Sequence, residues 1–194
     1  MEKKYRLLEN DTIMVNGTTL HRIEALKDFA DVKKGDKGGY VESEENLSHE
    51  GACWFFDDAW VSGNARVFDN ACVSDNACVF GDAWVHGNAR VYGYACVSDK
   101  ACVSGKACVS DNACVFGDAW VSGNALVSGN ARVFDNAWVS DNACVFGYAC
   151  VSGNTLVYGD ALVSGNARVH GDAKVCGDAR IYEGEIESGV ITKK

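Results

Sequence analysis

Residues 65–100 read ARVFDN ACVSDN ACVFGD AWVHGN ARVYGY ACVSDK, and the same six-residue phrase continues on both sides. Each hexad holds a small residue, a variable residue, Val, a second variable residue, Gly or Asp, and then Asn or Asp. The Val column starts at Phe55 and recurs every six residues to Ile181, which makes 22 hexads without an insertion. This repeat decides the fold, so any function must lie in its variable positions.

Within a hexad, successive side chains point alternately to opposite sides, as they do in a β-strand. The small residue and Val lie two positions apart and therefore point to the same side, while the residues before and after Val point to the other side. The last two positions predict a tight turn in which Gly or Asn adopts positive φ. One hexad cannot bury its apolar side alone, so many copies must stack. The pattern predicts an all-β solenoid with an interior of Ala and Val.

Hexads such as AWVSGN (119–124) and ALVSGN (125–130) resemble the hexapeptide repeats of left-handed parallel β-helix proteins. In that family three hexads make one triangular coil. The resemblance covers residues 53–184 and implies a single-stranded left-handed parallel β-helix of about seven coils. The opening segments YRLLEN (5–10) and DFADVKKGDKGGYVESEENLSHEGACWFF (28–56) resemble the N-terminal cap of YdcK-type proteins, which are classed as acetyltransferases by their fold.

The chain divides into a small N-terminal β cap (1–50), the β-helix (51–184) and a C-terminal cap or tail (185–194). Asn16-Gly17 predicts a type I′ hairpin turn in the N-terminal cap.

The glycines of the N-terminal cap and the glutamates after the last hexad each suggest a structural role. Gly35, Gly38 and Gly39 are expected to serve tight turns. After the last hexad, towards the C-terminus, the six-residue spacing is no longer kept. We expect this change to place Glu185 and Glu187 in the inward columns. Charges that face inward would stop further stacking.

The net charge, the apolar runs and the cysteine content exclude several classes of partner and location. The formal net charge of −9 disfavours nucleic acid and anionic membranes as main partners, because both require a cationic surface. No apolar run approaches the ~18 residues that would span a bilayer, and the first residues do not resemble a signal peptide. We therefore expect a cytoplasmic protein. The ten cysteines lie almost entirely within a repeat that has its own core, which favours reduced thiols over a disulfide scaffold.

The outward residues before Val fall on three faces, because every third hexad returns to the same face. The first face carries Trp54, Cys72, Arg90, Cys108, Leu126, Cys144, Leu162 and Arg180. The second carries Trp60, Cys78, Cys96, Cys114, Arg132, Cys150 and Arg168. The third carries Arg66, Trp84, Cys102, Trp120, Trp138, Leu156 and Lys174. None of these residues is acidic, so the negative charge is expected at the corners.

The third face offers a continuous apolar column. It consists of Trp84, Cys102, Trp120, Trp138 and Leu156. A contiguous exposed apolar patch usually marks an interface. The column therefore predicts self-association, and the resemblance implies a trimer.

Each arginine of the repeat is followed two residues later by an aromatic residue or histidine. The pairs proposed to bind a ligand are Arg90/Tyr92, Arg132/Phe134 and Arg168/His170. Two outward neighbours on one strand lie ~6–7 Å apart, within the range of guanidinium stacking. The pairs either pack against each other on the surface or bind a planar, nucleotide-like anion at subunit interfaces.

Histidines are the candidate catalytic residues, since the resemblance implies a histidine general base near a subunit boundary. His86 and His170 face outward and are the two candidates. Acyltransferases of this fold also carry a loop that projects from a coil, and the unbroken hexads here leave no room for one. We therefore favour a non-catalytic scaffold or binding module. The alternatives are an acyl-CoA-dependent acetyltransferase and a protein that sequesters small ligands.

Cys78, Cys96 and Cys114 fall on consecutive coils. They predict either small surface residues or a thiolate ladder for a soft metal. Tetrahedral zinc requires ligands that converge from several directions, which a flat face does not provide. No metal and no cofactor are predicted.

Overall fold

The computed structural model describes residues 2–192, which form an all-β parallel solenoid of about eight turns with an antiparallel N-terminal cap. The predicted fold class, an all-β parallel solenoid, is confirmed. The left-handed sense of the winding stays a prediction. No helix within the described part of the chain is long and apolar enough to cross a membrane.

Three sheets make the three faces, each built from two-residue strands that we call rungs. The first face contains Trp54–Phe55, Cys72–Val73, Arg90–Val91, Cys108–Val109, Leu126–Val127, Cys144–Val145, Leu162–Val163 and Arg180–Ile181. The second contains Trp60–Val61, Cys78–Val79, Cys96–Val97, Cys114–Val115, Arg132–Val133, Cys150–Val151, Arg168–Val169 and Glu185–Ile186. The third contains Arg66–Val67, Trp84–Val85, Cys102–Val103, Trp120–Val121, Trp138–Val139, Leu156–Val157, Lys174–Val175 and Val190–Ile191. Neighbouring rungs of a face pair in parallel.

The core consists of the Ala and Val columns, as the alternation predicts. Nearly all of these side chains are fully buried from Ala59 to Ala179. Thr155 takes one Ala position and is also buried, because its Oγ1 donates a hydrogen bond of 2.6 Å to the carbonyl oxygen of Ser152. The inward columns therefore account for the fold and leave the outward columns to carry function.

Positive φ falls on the first residue of each corner turn, which is Gly or Asp. The expectation that the following Asn takes this conformation is wrong for the hexads. Asp tolerates the left-handed region because its short side chain bonds locally. Asp111, with φ 58°, accepts a hydrogen bond of 3.0 Å at Oδ2 from the backbone N–H of Gly129, one coil further on. Corner aspartates thus satisfy backbone donors of the next turn.

The cap is formed by β1 (Tyr5–Val15), β2 (Thr18–Ala25), β3 (Lys37–Val41) and a 3-10 helix (Glu44–Asn46). Asn16 and Gly17 both have positive φ between β1 and β2, so the predicted hairpin turn is confirmed. β3 pairs antiparallel with β2 and parallel with the rung at Trp60–Val61, so the cap extends the second face.

Two cap glycines have a different role from the one expected. Gly35 lies in a turn with φ +93°. Gly38 and Gly39 lie inside β3, so the expectation that they serve turns is wrong. A Cβ at Gly39 would come within 2.2 Å of the carbonyl oxygen of Ala59. These two glycines allow the cap backbone to approach the first coil closely.

An irregular coil precedes residue 51 and closes the core. Val41 and Leu47 pair with Val61 and Val67 of the next coil and are buried. The buried side chain of Asn46 donates to the carbonyl oxygens of Gly63 and Ala65 at 3.0 and 2.9 Å. Parallel stacking therefore begins within the cap.

At the C-terminal end the solenoid continues beyond the last hexad. Glu185 pairs with Arg168 in the outward column, and Ile186 pairs with Val169 in the inward one. The prediction that Glu185 and Glu187 occupy the inward columns is wrong, because both are exposed. The spacing from Ile181 to Ile186 is five residues instead of six, so one turn residue is missing and the outward position falls on Glu185.

Candidate functional site

The third face carries the exposed tryptophans. Trp84, Cys102, Trp120, Trp138 and Leu156 pair rung by rung in one column. Their predicted alignment is confirmed, and their role as an interface stays a prediction. The side chains of the three tryptophans are 50%, 45% and 45% exposed in chain order. The structure therefore leaves three large indole groups in solvent on one face.

Serines one rung back hold two of the indole rings. Trp120 Nε1 donates to Ser104 Oγ and Trp138 Nε1 donates to Ser122 Oγ, both at 3.4 Å. The two rings are stacked, with centroids 5.4 Å apart and planes inclined by 13°. Because their N–H groups are satisfied within the chain, the rings present chiefly apolar surface to a partner.

His86 lies beside this column with three neighbours. Its ring stacks on Phe68 with centroids 4.7 Å apart. Nε2 lies 3.6 Å from Cys102 Sγ, and Nδ1 lies 3.8 Å from Asp69 Oδ2. His86 thus contacts a thiol and approaches a carboxylate, but both distances are longer than those of a tight catalytic pair.

A cavity of about 530 Å³ opens between Trp84 and Trp120, where the small side chain of Cys102 occupies the rung between them. Its other lining residues are Asp82, His86, Lys100 and Asp118. A short residue between two large ones makes a notch in the face, and the same alternation recurs on the other faces.

The second face contains a groove of about 300 Å³ that combines charged and aromatic groups. Phe134 and His170 lie on opposite sides of it, two rungs apart, and Cys150 lies on the rung between them. His170 Nε2 lies 2.9 Å from Glu185 Oε1, and Arg168 lines the same groove. Glu185 is the residue that sequence reasoning missed here, because it was assigned to the interior.

The predicted arginine–aromatic pairs behave differently from one another. Arg132 lies over Phe134 at 5.5 Å and over Phe116, on the preceding rung, at 5.3 Å. Among residues 2–192 it is the one arginine of the repeat with such a contact. Arg90 and Tyr92 line a separate cavity of about 420 Å³ on the first face. The six predicted ligand-binding residues are therefore divided between two faces, and their role in binding stays a prediction.

All ten cysteines lie within the described part of the chain and carry free thiols. Cys78, Cys96 and Cys114 occupy consecutive rungs of the second face. A hydrogen bond with Cys96 and burial both raise the pKa of Cys78, and the same hydrogen bond lowers the pKa of Cys96. Within residues 2–192, no three side chains of His, Cys, Asp or Glu converge closely enough to hold a metal ion together.

A buried polar cluster joins the cap to the solenoid. Lys4 Nζ donates to the carbonyl oxygen of Cys53 at 2.8 Å and lies 3.3 Å from its sulfur. Burial lowers the pKa of Lys4 and raises that of Cys53. His49 Nδ1 accepts a hydrogen bond of 3.2 Å from the backbone N–H of Lys4, and its ring stacks on Tyr5. Lys4, Tyr5 and Cys53 are almost fully buried and His49 is half-buried, so we assign the cluster to stability.

Comparison with known proteins agrees with this architecture. A family model described as the YdcK β-solenoid repeat matches residues 71–87, 125–141 and 157–171, all within the solenoid. An Escherichia coli (strain K12) protein described as uncharacterized acetyltransferase YdcK is 37% identical over 76 residues, which take in 32% of this chain and 23% of that protein. The match thus spans about a quarter of the relative's length.

The fold and the outward faces together define a hexad-built parallel β-solenoid protein with apolar and cationic surface columns. Its repeats are similar to those of YdcK-type proteins, whose repeat model matches three segments of the solenoid. The resemblance of the N-terminal cap to YdcK-type caps stays a prediction, because the family model matches no part of residues 1–50.

Proposed function

We propose that this protein is a self-associating β-solenoid scaffold or binding module, in which copies of the chain meet through the third face. The observation that carries this proposal is the column of exposed indole rings at Trp84, Trp120 and Trp138. Burying an aromatic side chain of this size in an interface is strongly favourable, and tryptophan is enriched among residues that dominate binding energy.

Charge supports the choice of a second copy as the occupant. A chain with a net charge of −9 repels its own copies over most of its surface. Within the described rungs of the third face, the residues before and after Val include no carboxylate. Arg66 and Lys174 lie near the two ends of the column. Two copies therefore meet least repulsion when they approach through this face.

The size of the face is also sufficient. Eight rungs at a spacing of about 4.8 Å make it roughly 38 Å long, and the extended part of a hexad makes it roughly 16 Å wide. Each copy would contribute about 600 Å², so two faces would bury about 1,200 Å², the lower end of specific interfaces. A trimer, which the resemblance implies, would turn the indole column of each copy toward a shared axis.

The test is the mass in solution, measured by light scattering at micromolar concentration. Wild-type protein is expected to be an oligomer, and the double variant Trp120→Glu/Trp138→Glu is expected to be a monomer. Leu126→Glu is the matched control, since it adds a carboxylate to the outward column of the first face and should leave the mass unchanged. A monomeric wild type, or a double variant of unchanged mass, would contradict the proposal.

The groove on the second face favours acetyl transfer as a second candidate function. The relative's description names an acetyltransferase, and the pairing of His170 with Glu185 at 2.9 Å supplies a base held by a carboxylate. In this scheme His170 removes a proton from the acceptor, which attacks the thioester carbonyl, and the thiol of coenzyme A leaves. Arg168 would bind an anionic group of the donor.

Calorimetry with acetyl-CoA tests this second candidate. Binding that is lost in His170→Gln and kept in His86→Gln would support the second-face groove. Absence of binding at millimolar acetyl-CoA would remove acetyl transfer from consideration. Binding without transfer to any amine or hydroxyl acceptor would instead favour sequestration of a small anionic ligand at this groove.

A further inference from the structure

The second face contains a run of cysteines on adjacent rungs. Cys96 pairs with Cys78 on one side and with Cys114 on the other. The other outward cysteines before Val are Cys72, Cys102, Cys108, Cys144 and Cys150, and within the described rungs each has only Trp, Leu or Arg as rung neighbours. The column of Cys78, Cys96 and Cys114 is therefore unlike the rest of the molecule.

The spacing of this column suits one coordination geometry. Neighbouring parallel strands lie about 4.8 Å apart, and outward side chains at paired positions point in nearly the same direction. Two sulfurs on adjacent rungs are therefore separated by roughly twice the ~2.3 Å length of a metal–thiolate bond. An ion midway between them would have one sulfur on each side, which is linear two-coordination.

We propose that adjacent thiols of the Cys78–Cys96–Cys114 column bind one monovalent soft cation of the Cu(I) type in linear coordination. Thiolates are soft ligands and select Cu(I) over harder cations. Binding replaces two S–H protons by one metal ion and yields a bis-thiolate complex with one negative charge and two released protons. The structure contains no convergent set of three ligands within residues 2–192, so zinc, which requires four, is not favoured here.

The surroundings of the column fit an anionic complex. All three thiols are partly exposed, so an ion can reach them from solvent. Arg132 occupies the rung next to Cys114 and places a cation beside the complex. At the other end Trp60 occupies the rung next to Cys78 and stacks on Phe80 at 5.6 Å, which shields that end from water. Cys78 and Cys96 are paired residues of neighbouring parallel strands, which holds their two side chains next to each other.

Anaerobic titration with Cu(I), supplied as its acetonitrile complex against a chromophoric chelator, tests the proposal. Wild-type protein is expected to withdraw one equivalent from the chelator, and X-ray absorption is expected to count two sulfur ligands. Cys96→Ser breaks both adjacent pairs and should weaken binding by at least an order of magnitude. Cys78→Ser and Cys114→Ser each leave one pair and should keep the site.

Matched variants make the outcome decisive. The double variant Cys78→Ser/Cys114→Ser leaves Cys96 alone and should lose as much affinity as Cys96→Ser. Cys144→Ser removes a thiol that lies between Leu126 and Leu162 and should change nothing. Cu(I) binding by Cys96→Ser as tight as in wild type, or three sulfur ligands in the absorption data, would overturn the proposal. Because serine fits these outward positions, circular dichroism is expected to show an unchanged fold.

Discussion

Trp120 and Trp138 lie on consecutive rungs with their indole rings stacked 5.4 Å apart, and each ring donates its N–H to a serine one rung back. The serine bonds fix the edges of the rings, and stacking fixes their tilt. The pair is thus a rigid apolar surface that loses little conformational entropy when another surface covers it.

The thermal midpoint of the wild-type protein is expected to rise with protein concentration. Association stabilises the folded chain by mass action, so a tenfold increase in concentration should raise the midpoint measurably. In Trp120→Glu/Trp138→Glu the midpoint should not depend on concentration. The control Leu126→Glu should behave like wild type, and a concentration-independent wild type would contradict self-association.

The corner aspartates make a second prediction possible. Asp111→Ala keeps a strained positive φ and loses the hydrogen bond to the Gly129 N–H, so we expect a loss of about 1–2 kcal/mol in the free energy of unfolding. Asp111→Asn should cost less than about 0.5 kcal/mol, because asparagine tolerates this conformation and its oxygen can accept the same bond. Urea unfolding measures both.

Asp118→Ala is the control for the corner. Asp118 occupies the second turn position, where φ is not positive, and its 3.9 Å ion pair with Lys100 is exposed. Exposed ion pairs contribute little, so the stability should hardly change. Equal losses for Asp111→Ala and Asp118→Ala would show that strain and the bond to the next coil do not matter.

Most of the fold could be predicted because each residue has a position within its hexad and each hexad has a position within its coil. The alternation within a hexad assigns each residue to the inside or outside, and a return every three hexads assigns it to a face. The alignment of Trp84, Cys102 and Trp120 followed from the hexad period together with the three hexads per coil that the resemblance implies. The C-terminal end was mispredicted because Ile181, Ile186 and Ile191 recur every five residues, and this shorter period was visible in the sequence.

The candidate sites were less predictable because they depend on which way long side chains turn. The sequence placed Arg168 and His170 on one rung, but only the shifted register at the end of the solenoid brings Glu185 beside His170. Likewise, the position of Asn46 over Gly63 depends on how the cap docks, which no local pattern encodes.

Asn46→Ala is expected to loosen the N-terminal end of the solenoid. The side chain donates two hydrogen bonds to the first coil and accepts one of 2.8 Å from the N–H of Ser43. Removing a buried group with these bonds should cost roughly 2–3 kcal/mol. Because stability in a solenoid depends on neighbouring coils, hydrogen exchange should accelerate near Ala65 and stay unchanged near Val151. The control Asn64→Ala removes one exposed side-chain bond and should have little effect.

His49 gives the molecule a pH dependence of predictable sign. Burial lowers its pKa below the usual 6.5, and the nearby carboxylate of Glu44 opposes this more weakly. The unfolded chain then binds more protons than the folded one between the two pKa values, so the free energy of unfolding falls as pH drops below about 6.5. Above that pH both states hold a neutral imidazole, and the stabilisation is complete.

The variant His49→Asn tests this directly, because an amide oxygen can accept the bond from the Lys4 N–H but does not titrate. Urea midpoints at about pH 7.5 and about pH 5 should differ less in His49→Asn than in wild type.

His170→Gln is the control, since His170 is partly exposed and its Glu185 partner lies at the other end of the solenoid. If His49→Asn and wild type lose the same stability between the two pH values, the imidazole of His49 is not the titrating group. The N-terminal carboxylates, Asp11 and Asp28, would not explain such a loss either, because their hydrogen bonds to lysines and backbone lower their pKa values below this window.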